Sequence, residues 1–322
     1  MTDLLGRIGV ELPVVQAGMG GGLASHELAA AVSEAGGLGT IGIARAETMH
    51  AELTSARRLT ARPIALNLLV PFARRDHWRV ASKADVVVTH WETRPRRRTQ
   101  VLWIHTVASA EEARAAVDAG ADAVIAQGSE SGGHARATEP AAKLLARVQA
   151  VVPAEFPVLL AGGVAQASDV RAALEQGAVA AVAGTRFLAS EESRAHPEYK
   201  RRLVEDAETV RTELFGMGWP GAPHRVLAND ATRRWLSGDP RGPAALRALH
   251  RSLSPVARLV PVGVQFRLAA QARSGPLDLS PPAPVAGMPA KTVETHPLYA
   301  GETVARIADV RPAAELVRAL TP

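Results

Sequence analysis

Between residues 13 and 187 the chain alternates short, mostly apolar runs with alanine-rich amphipathic stretches. The apolar runs fall at 13–18, 38–43, 63–70, 84–91, 101–107, 123–129, 157–163 and 178–187. Their length and near-continuous apolar character suit strands covered on both faces. Helical patterns lie between them at 26–35, 46–58, 110–119, 141–151 and 167–176. Ser25 and Ser109 stand where N-caps belong, and Gly36, Gly120 and Gly177 where helices should stop. Eight such runs alternating with helices predict a parallel (β/α)8 TIM barrel. The stretch 91–101 is too short and too rich in arginine for a full helix, so one crossover departs from the rhythm.

Past Phe187 the alternation stops. Residues 190–289 begin helical and charged, are broken at Gly216, Gly218, Pro220, Gly221 and Pro223, and end in a Pro-rich tract from Pro276 to Pro289. A last amphipathic helix is expected within 301–320. The organisation expected is a barrel of residues 1–189 and 290–322, with a smaller, mainly helical domain of residues 190–289 inserted after strand eight. Gly37 to Gly42 spells G-x-G-x-x-G, the mark of a doubly wound dinucleotide fold, but that motif must follow a strand and open a helix. Here it follows a helical stretch and runs into a strand, so it reads as a helix end plus a small-residue strand.

Composition narrows the function classes. With 322 residues, 47% apolar and 21% charged, the chain can bury a large core and looks like an ordinary soluble protein. It has no cysteine, which excludes disulfides, thiolate nucleophiles and Cys-ligated metals. Its first residues lack a basic stretch followed by an apolar core, and no apolar run reaches membrane-spanning length, so a cytoplasmic protein is expected. A net charge of +5 raises the possibility of a nucleic-acid partner. Only four of the 37 basic residues are lysine, the arginines are scattered, and aromatics make up 4%. Nucleic-acid binders need clustered charge and stacking rings, so no nucleic acid is expected. The run Arg94-Pro95-Arg96-Arg97-Arg98 is the exception, fit for solvent or for an anionic partner such as the phosphates of a nicotinamide cofactor.

In a barrel the chemistry sits at the carboxyl ends of the strands. Those ends carry Gln16-Ala17-Gly18-Met19, Asn67, His90, His105, Gln127 with His134, Gly162-Gly163 and Gly184-Thr185. No lysine ends a strand, which argues against a Schiff-base aldolase, and no carboxylate cluster suggests magnesium. The histidines come singly from separate loops, so no metal site is expected. Glycine turns after the last two strands are the usual phosphate site of this fold. The loop Ala123 to His134, AVIAQGSESGGH, places an acid/base group after a buried strand.

Taken together, PVVQAGMGG, SEAGGLGTIG, the Asn of PIALNLLV, ADAVIAQGSESGGHA, PVLLAGGV, AGTRFLASEES and the tail PLYAGE resemble the nitronate monooxygenases, formerly 2-nitropropane dioxygenases. These are FMN-dependent barrel oxidoreductases. The resemblance implies FMN held around Ala17, Gly18 and Met19, by Asn67 and Gln127, and by Gly132. The flavin phosphate would fall on Gly162, Gly163, Gly184 and Thr185, and His134 would be the catalytic base. It further implies oxidation of nitronates or nitroalkanes by dioxygen to a carbonyl compound and nitrite. Ala17-Gly18-Met19 departs from the family's usual Ala-Pro-Met, and VTHWETRPRRR and LWIHT have no clear counterpart in it. His90, His105 and Trp219 are candidates to line the substrate pocket. The rival readings are an NAD(P)H-dependent flavin reductase of the enoyl-acyl-carrier-protein or quinone type on the same fold, a flavin-free phosphate-binding lyase or isomerase, and a zinc hydrolase.

Overall fold

The computed structural model describes residues 4–257, 279 and 282–322. The chain forms two compact units. Met1–Glu130, Ala137–Arg194 and Asp309–Pro322 make the first, and Ser131–Arg136 with Ala195–Ala308 the second.

The first unit is the parallel barrel that the alternation implies. Its strands are β1 (Val14–Gln16), β2 (Gly39–Ile41), β3 (Ile64–Leu69), β4 (Val86–His90), β5 (Leu102–Val107), β6 (Ala123–Gln127), β8 (Val158–Ala161) and β9 (Ala181–Ala183), and β7 (Gly133–His134) belongs to the second unit. Each of the eight lies inside one of the apolar runs. The order β1-β9-β8-β6-β5-β4-β3-β2 closes through a parallel bridge between Val15 and Leu38. Gln16 ties that seam, its Oε1 accepting from the Thr40 amide at 2.9 Å.

Strand alternation sorts the barrel's side chains into two apolar layers. Val15, Leu38, Ala65, Val86, Val88, Ile104, Ala123, Ile125, Leu159 and Val182 fill the inside. Val14, Ile41, Leu66, Val87, Trp103, Val124 and Leu160 face the surrounding helices, where each fully buried Leu or Val contributes about 1.5–3 kcal/mol. Those helices include His26–Glu34, Ala46–Leu59, Arg75–Ala81, Ala110–Asp118, Ala141–Gln149 and Ala167–Glu175. The final helix, Ala313–Leu320, packs against the first and last of these, and Glu192 accepts from its Ala313 amide at 2.8 Å. Ser109 caps its helix by accepting from the Glu112 amide, and Gly36, Gly120 and Gly177 follow their helices with positive φ.

No helix connects β4 to β5. Residues 91–101 cross the outside of the barrel as irregular chain, with Arg98 lying 5.4 Å over the Trp78 ring. Arg97 donates to the Thr99 carbonyl at 3.0 Å and pairs with Asp122 at 3.0 Å.

The second unit holds an antiparallel sheet in the order β10 (Thr209–Thr212), β11 (His224–Leu227), β7 (Gly133–His134). Its helices include Pro197–Glu205, Asp230–Trp235 and Ala244–Ala257, with Leu214, Phe215, Val226, Ala231, Leu246 and Leu279 clustered together. Besides Ser131–Arg136 joining it and residues 190–194 staying with the first unit, two features differ from the sequence reading. The unit contains a sheet beside its helices, and residues 290–308 pack with it, the chain returning to the first unit at Asp309. The contacts explain the second difference, because Asn229 Nδ2 donates to the Val293 and His296 carbonyls at 2.9 and 2.8 Å. Arg202 also pairs with Glu294 at 2.7 Å. Residues 276–278, 280 and 281 of the Pro-rich tract lie outside the described residues.

Candidate functional site

Extending the inward alternation to the carboxyl ends of the strands puts Ala17, Thr40, Asn67, His90, Thr106, Gln127 and Gly184 at the barrel mouth. Asn67 is buried, and its Nδ2 donates to the Gly18 carbonyl at 2.9 Å. Its Oδ1 has no partner, and neither has the nearby buried Thr40 Oγ1. Buried polar atoms in native proteins are nearly always satisfied, so two at one mouth suit water or polar ligand atoms. Gly18 keeps this corner open. A Cβ there would lie 2.3 Å from Asn67 Cβ and 3.0 Å from Thr40 Cγ2. Thr40 escaped the sequence reading, although it lies two residues beyond the inward Leu38.

After β8, Gly162 and Gly163 take φ of 126° and 72°, conformations open to glycine, and such backbone turns aim amides at anions. Gly184 precedes the short helix Thr185–Leu188, and a Cβ on it would meet nothing nearer than Ala17 Cβ at 3.6 Å. Met19 packs partly into the outer layer, and Gln127 ends β6 half-buried. Gly132 belongs to the second unit, where a Cβ would lie 2.6 Å from the Gly301 amide nitrogen, so close chain packing already requires its glycine.

The structure separates His90 from His105. His90 follows the inward Val86 and Val88, is half-buried, and has Nε2 3.5 Å from the inward Thr106 Oγ1. His105 shares the outward face with Trp103 and Val107 and is fully buried. Its Nδ1 meets Thr89 Oγ1 at 2.7 Å and its Nε2 meets the Glu92 carbonyl at 2.8 Å. A pocket role for His105 is therefore corrected to a structural one, because both ring nitrogens are engaged outside the barrel.

His134 lies on β7, opposite His224 of β11. Its ring stacks on Trp219 at 4.2 Å and 22°, with His224 at 4.9 Å and Tyr299 at 5.4 Å. The second unit thus brings His134 and Trp219 together, and adds His224 and Tyr299, which sequence reading missed. His224 Nδ1 donates to the Ala222 carbonyl at 2.9 Å while its Nε2 accepts from the Phe215 amide at 3.4 Å, so that ring is neutral. Burial pushes His224 down to about 4, its bond to the Ala222 carbonyl working against the fall. Burial, then the neighbouring His224, hold His134 well below the ordinary histidine value. An imidazole so placed is neutral at pH 7 and can accept a proton, though as a weaker base than a free histidine.

Among the described residues His26, Glu27 and Glu52 come close enough to share an ion. Arg194 already answers their charge, at 2.9 Å from Glu27 and 2.8 Å from Glu52.

The nitronate monooxygenase family model matches residues 2–93 and 83–322. The chain belongs to the nitronate monooxygenase family. It is thereby an oxidoreductase acting on small molecules. It is 32% identical over 291 residues to the nitronate monooxygenase of Pseudomonas aeruginosa, with 72% of this chain and 82% of that protein covered. A 5-hydroxy-7a-methyl-1-oxo-octahydro-1H-indene-4-carboxyl-CoA dehydrogenase of Mycobacterium tuberculosis is 34% identical over 251 residues, covering 74% and 69%. The solved nitroalkane oxidase of Streptomyces ansochromogenes superposes with a TM-score of 0.74 at 31% identity, covering 97% of this chain and 95% of that one. Among the described residues no helix is long and apolar enough to cross a membrane.

Proposed function

We propose that this chain is an FMN-dependent enzyme that oxidises nitronates, and more slowly neutral nitroalkanes, with dioxygen to a carbonyl compound and nitrite. The observation that carries the reading is the pair of buried oxygens, the Asn67 Oδ1 acceptor and the Thr40 hydroxyl, left without partners at the barrel mouth of a nitronate monooxygenase family member. A flavin has polar ring-edge atoms to meet them, and its phosphate suits the turn at Gly162-Gly163. Ala17, Gly18, Met19, Asn67 and Gln127 would hold the ring system, with Gly184 and Thr185 completing the phosphate end. Once bound, FMN supplies the route by which electrons leave the substrate carbon for dioxygen.

The rest is the work of side chains. His134 takes the α-proton of a neutral nitroalkane on its imidazole nitrogen. A nitronate has already lost that proton, and the weakened basicity of His134 makes it the better substrate. Trp219 fixes the plane of the imidazole by stacking.

The test begins with the visible spectrum of the purified protein and mass identification of any released chromophore, followed by aerobic turnover of ethylnitronate and nitroethane. A colourless, correctly folded protein that gains no absorbance with added FMN would reject the reading. A second reading, a dehydrogenase of CoA thioesters, is favoured by the 34% identity to the mycobacterial enzyme. Bleaching of the flavin by an acyl-CoA without air, together with inertness toward nitronates, would choose it instead, whereas bleaching by NADPH would choose a flavin reductase.

A further inference from the structure

Asn67 and Thr40 differ in what they can do at the barrel mouth. The Gly18 carbonyl only accepts, so the Asn67 atom facing it at 2.9 Å is the nitrogen, and Oδ1 is left as the acceptor. Thr40 is held as firmly. Its amide donates to Gln16 Oε1 at 2.9 Å, it pairs with Ala65 across β2 and β3, and its β-branched side chain has few rotamers. Its methyl Cγ2 and the Asn67 Cγ lie 3.0 and 2.7 Å from the point where a Gly18 Cβ would stand, so the two side chains line one corner. Both residues are buried, and neither oxygen bonds the other.

The two oxygens call for unlike partners. Asn67 Oδ1 accepts only and needs a donor, whereas a threonine hydroxyl can donate or accept. An oxidised flavin ring has one N–H, at N3, and carbonyls flank it on both sides, C2=O and C4=O. An edge that gives this N–H to Asn67 has only an acceptor to offer Thr40, so the hydroxyl donates. Reduction adds electron density to that end of the ring. A hydrogen bond to a charged acceptor is roughly twice as strong as one to a neutral acceptor. A donor placed there therefore holds the reduced cofactor more tightly than the oxidised one, which is one way a protein tunes a cofactor's electronics.

We propose that Thr40 tunes the flavin, its hydroxyl donating to a carbonyl beside N3 while Asn67 accepts from N3, so that Thr40 raises the reduction potential of the bound cofactor. Any side chain at position 18 would strike Asn67, so Gly18 is what lets both residues keep these places. The inference rests on the FMN reading, and adds which edge of the ring meets the corner and what Thr40 does there.

The experiment measures the two-electron potential of the purified holoenzyme by equilibration with a reference dye. Thr40→Val keeps the shape and removes the donor. It should hold reduced flavin about tenfold less well relative to oxidised flavin, a fall of about 30 mV in potential. Thr40→Ser keeps a hydroxyl and should restore the wild-type potential. In competition with FMN on the wild type, an analogue methylated at N3 should bind about tenfold more weakly or worse, because Asn67 Oδ1 loses its donor. Should Thr40→Val not fold, Thr40→Ala takes its place with the same fall expected. A potential unmoved or raised in the variant that lacks the hydroxyl, a Thr40→Ser that matches it, or equal affinity for the methylated analogue would overturn the proposal. Water, not the ring, would then meet these oxygens. A wild type that binds no flavin would sink the FMN reading and the proposal with it, whereas bound flavin with an unmoved potential sinks the proposal alone. Bound flavin with the expected shift but no nitronate turnover would sink only the choice of substrate.

Discussion

Between β4 and β5, His105 is buried with each ring nitrogen on a named partner, and its tautomer follows from them. On β7, His134 is buried among rings instead, against Trp219, His224 and Tyr299. Burial is alike, yet its chemical consequence is opposite. A histidine fixed by hydrogen bonds at both nitrogens is a strut that holds backbone. One desolvated against aromatic faces loses affinity for the proton. Burial alone therefore does not say which histidine holds backbone; the kind of neighbour does.

The sharpest way to break that comparison is His134→Asn, which keeps size and polarity but cannot take the proton. The variant should bind FMN and keep most of its nitronate oxidation, while turnover of neutral nitroethane falls about 10²–10⁴-fold. Parallel assays of the two forms decide it. Equal losses would make His134 a positioning group, and an unchanged neutral reaction would pass the role of base to His90.

Thr89→Val attacks the strut. It leaves the indole N–H of Trp103 and Nδ1 of His105 buried without this hydroxyl, which should cost about 2–4 kcal/mol of stability. Denaturant unfolding measures it. A loss under about 0.5 kcal/mol would show that the strut holds nothing.

Much of this is legible in the amino-acid sequence itself. All eight strands lie within apolar runs, since a strand buried on both faces leaves a continuous signal. The arginine-rich stretch after His90 correctly stood out as no helix. His105 was misplaced because a strand end was read as a point, whereas facing is set by alternation, and His105 shares its face with Trp103. Thr40 was missed for the same reason. The β7 strand was illegible because Gly133–His134 pairs with His224 and Arg225, some ninety residues away in sequence, and no local pattern reports such pairing.

A smaller effect separates the regions by pH. His224 titrates in the fold at about 4, against an ordinary 6.5. Between those values the unfolded chain binds the extra proton, so stability is full above pH 6.5 and falls as pH drops toward 4. The loss is on the order of 3 kcal/mol at most. His224→Leu should shrink that acid limb of the stability curve and leave the part due to His134, which burial also depresses, whereas Thr89→Val should lower the curve evenly and leave its shape. A limb unchanged in His224→Leu would mean that another group produces it.

The smallest expected effect concerns Arg94 and Arg96, and it guards the nitronate reading against its nicotinamide rival. Arg97 and Arg98 are tied to the crossover, but Arg94 and Arg96 are exposed and border a recess of about 430 Å³ with Ala115, Asp118 and Ala119. Those last three belong to the far half of helix Ala110–Asp118 and the residue after it. In a barrel, helices run opposite to the strands, so that half lies toward the amino ends and away from the mouth. A cofactor reacting at the mouth would have to span the barrel's flank to leave its phosphate there. The double variant Arg94→Ala, Arg96→Ala should therefore leave the ethylnitronate Michaelis constant unchanged and shift stability by less than about 0.5 kcal/mol. The same variant should show no altered response to NADPH at low ionic strength, where surface electrostatics act most strongly. A tenfold weaker NADPH response that added salt reproduces in the wild type would put a nicotinamide phosphate on these arginines, and the reductase reading would then displace the oxidase.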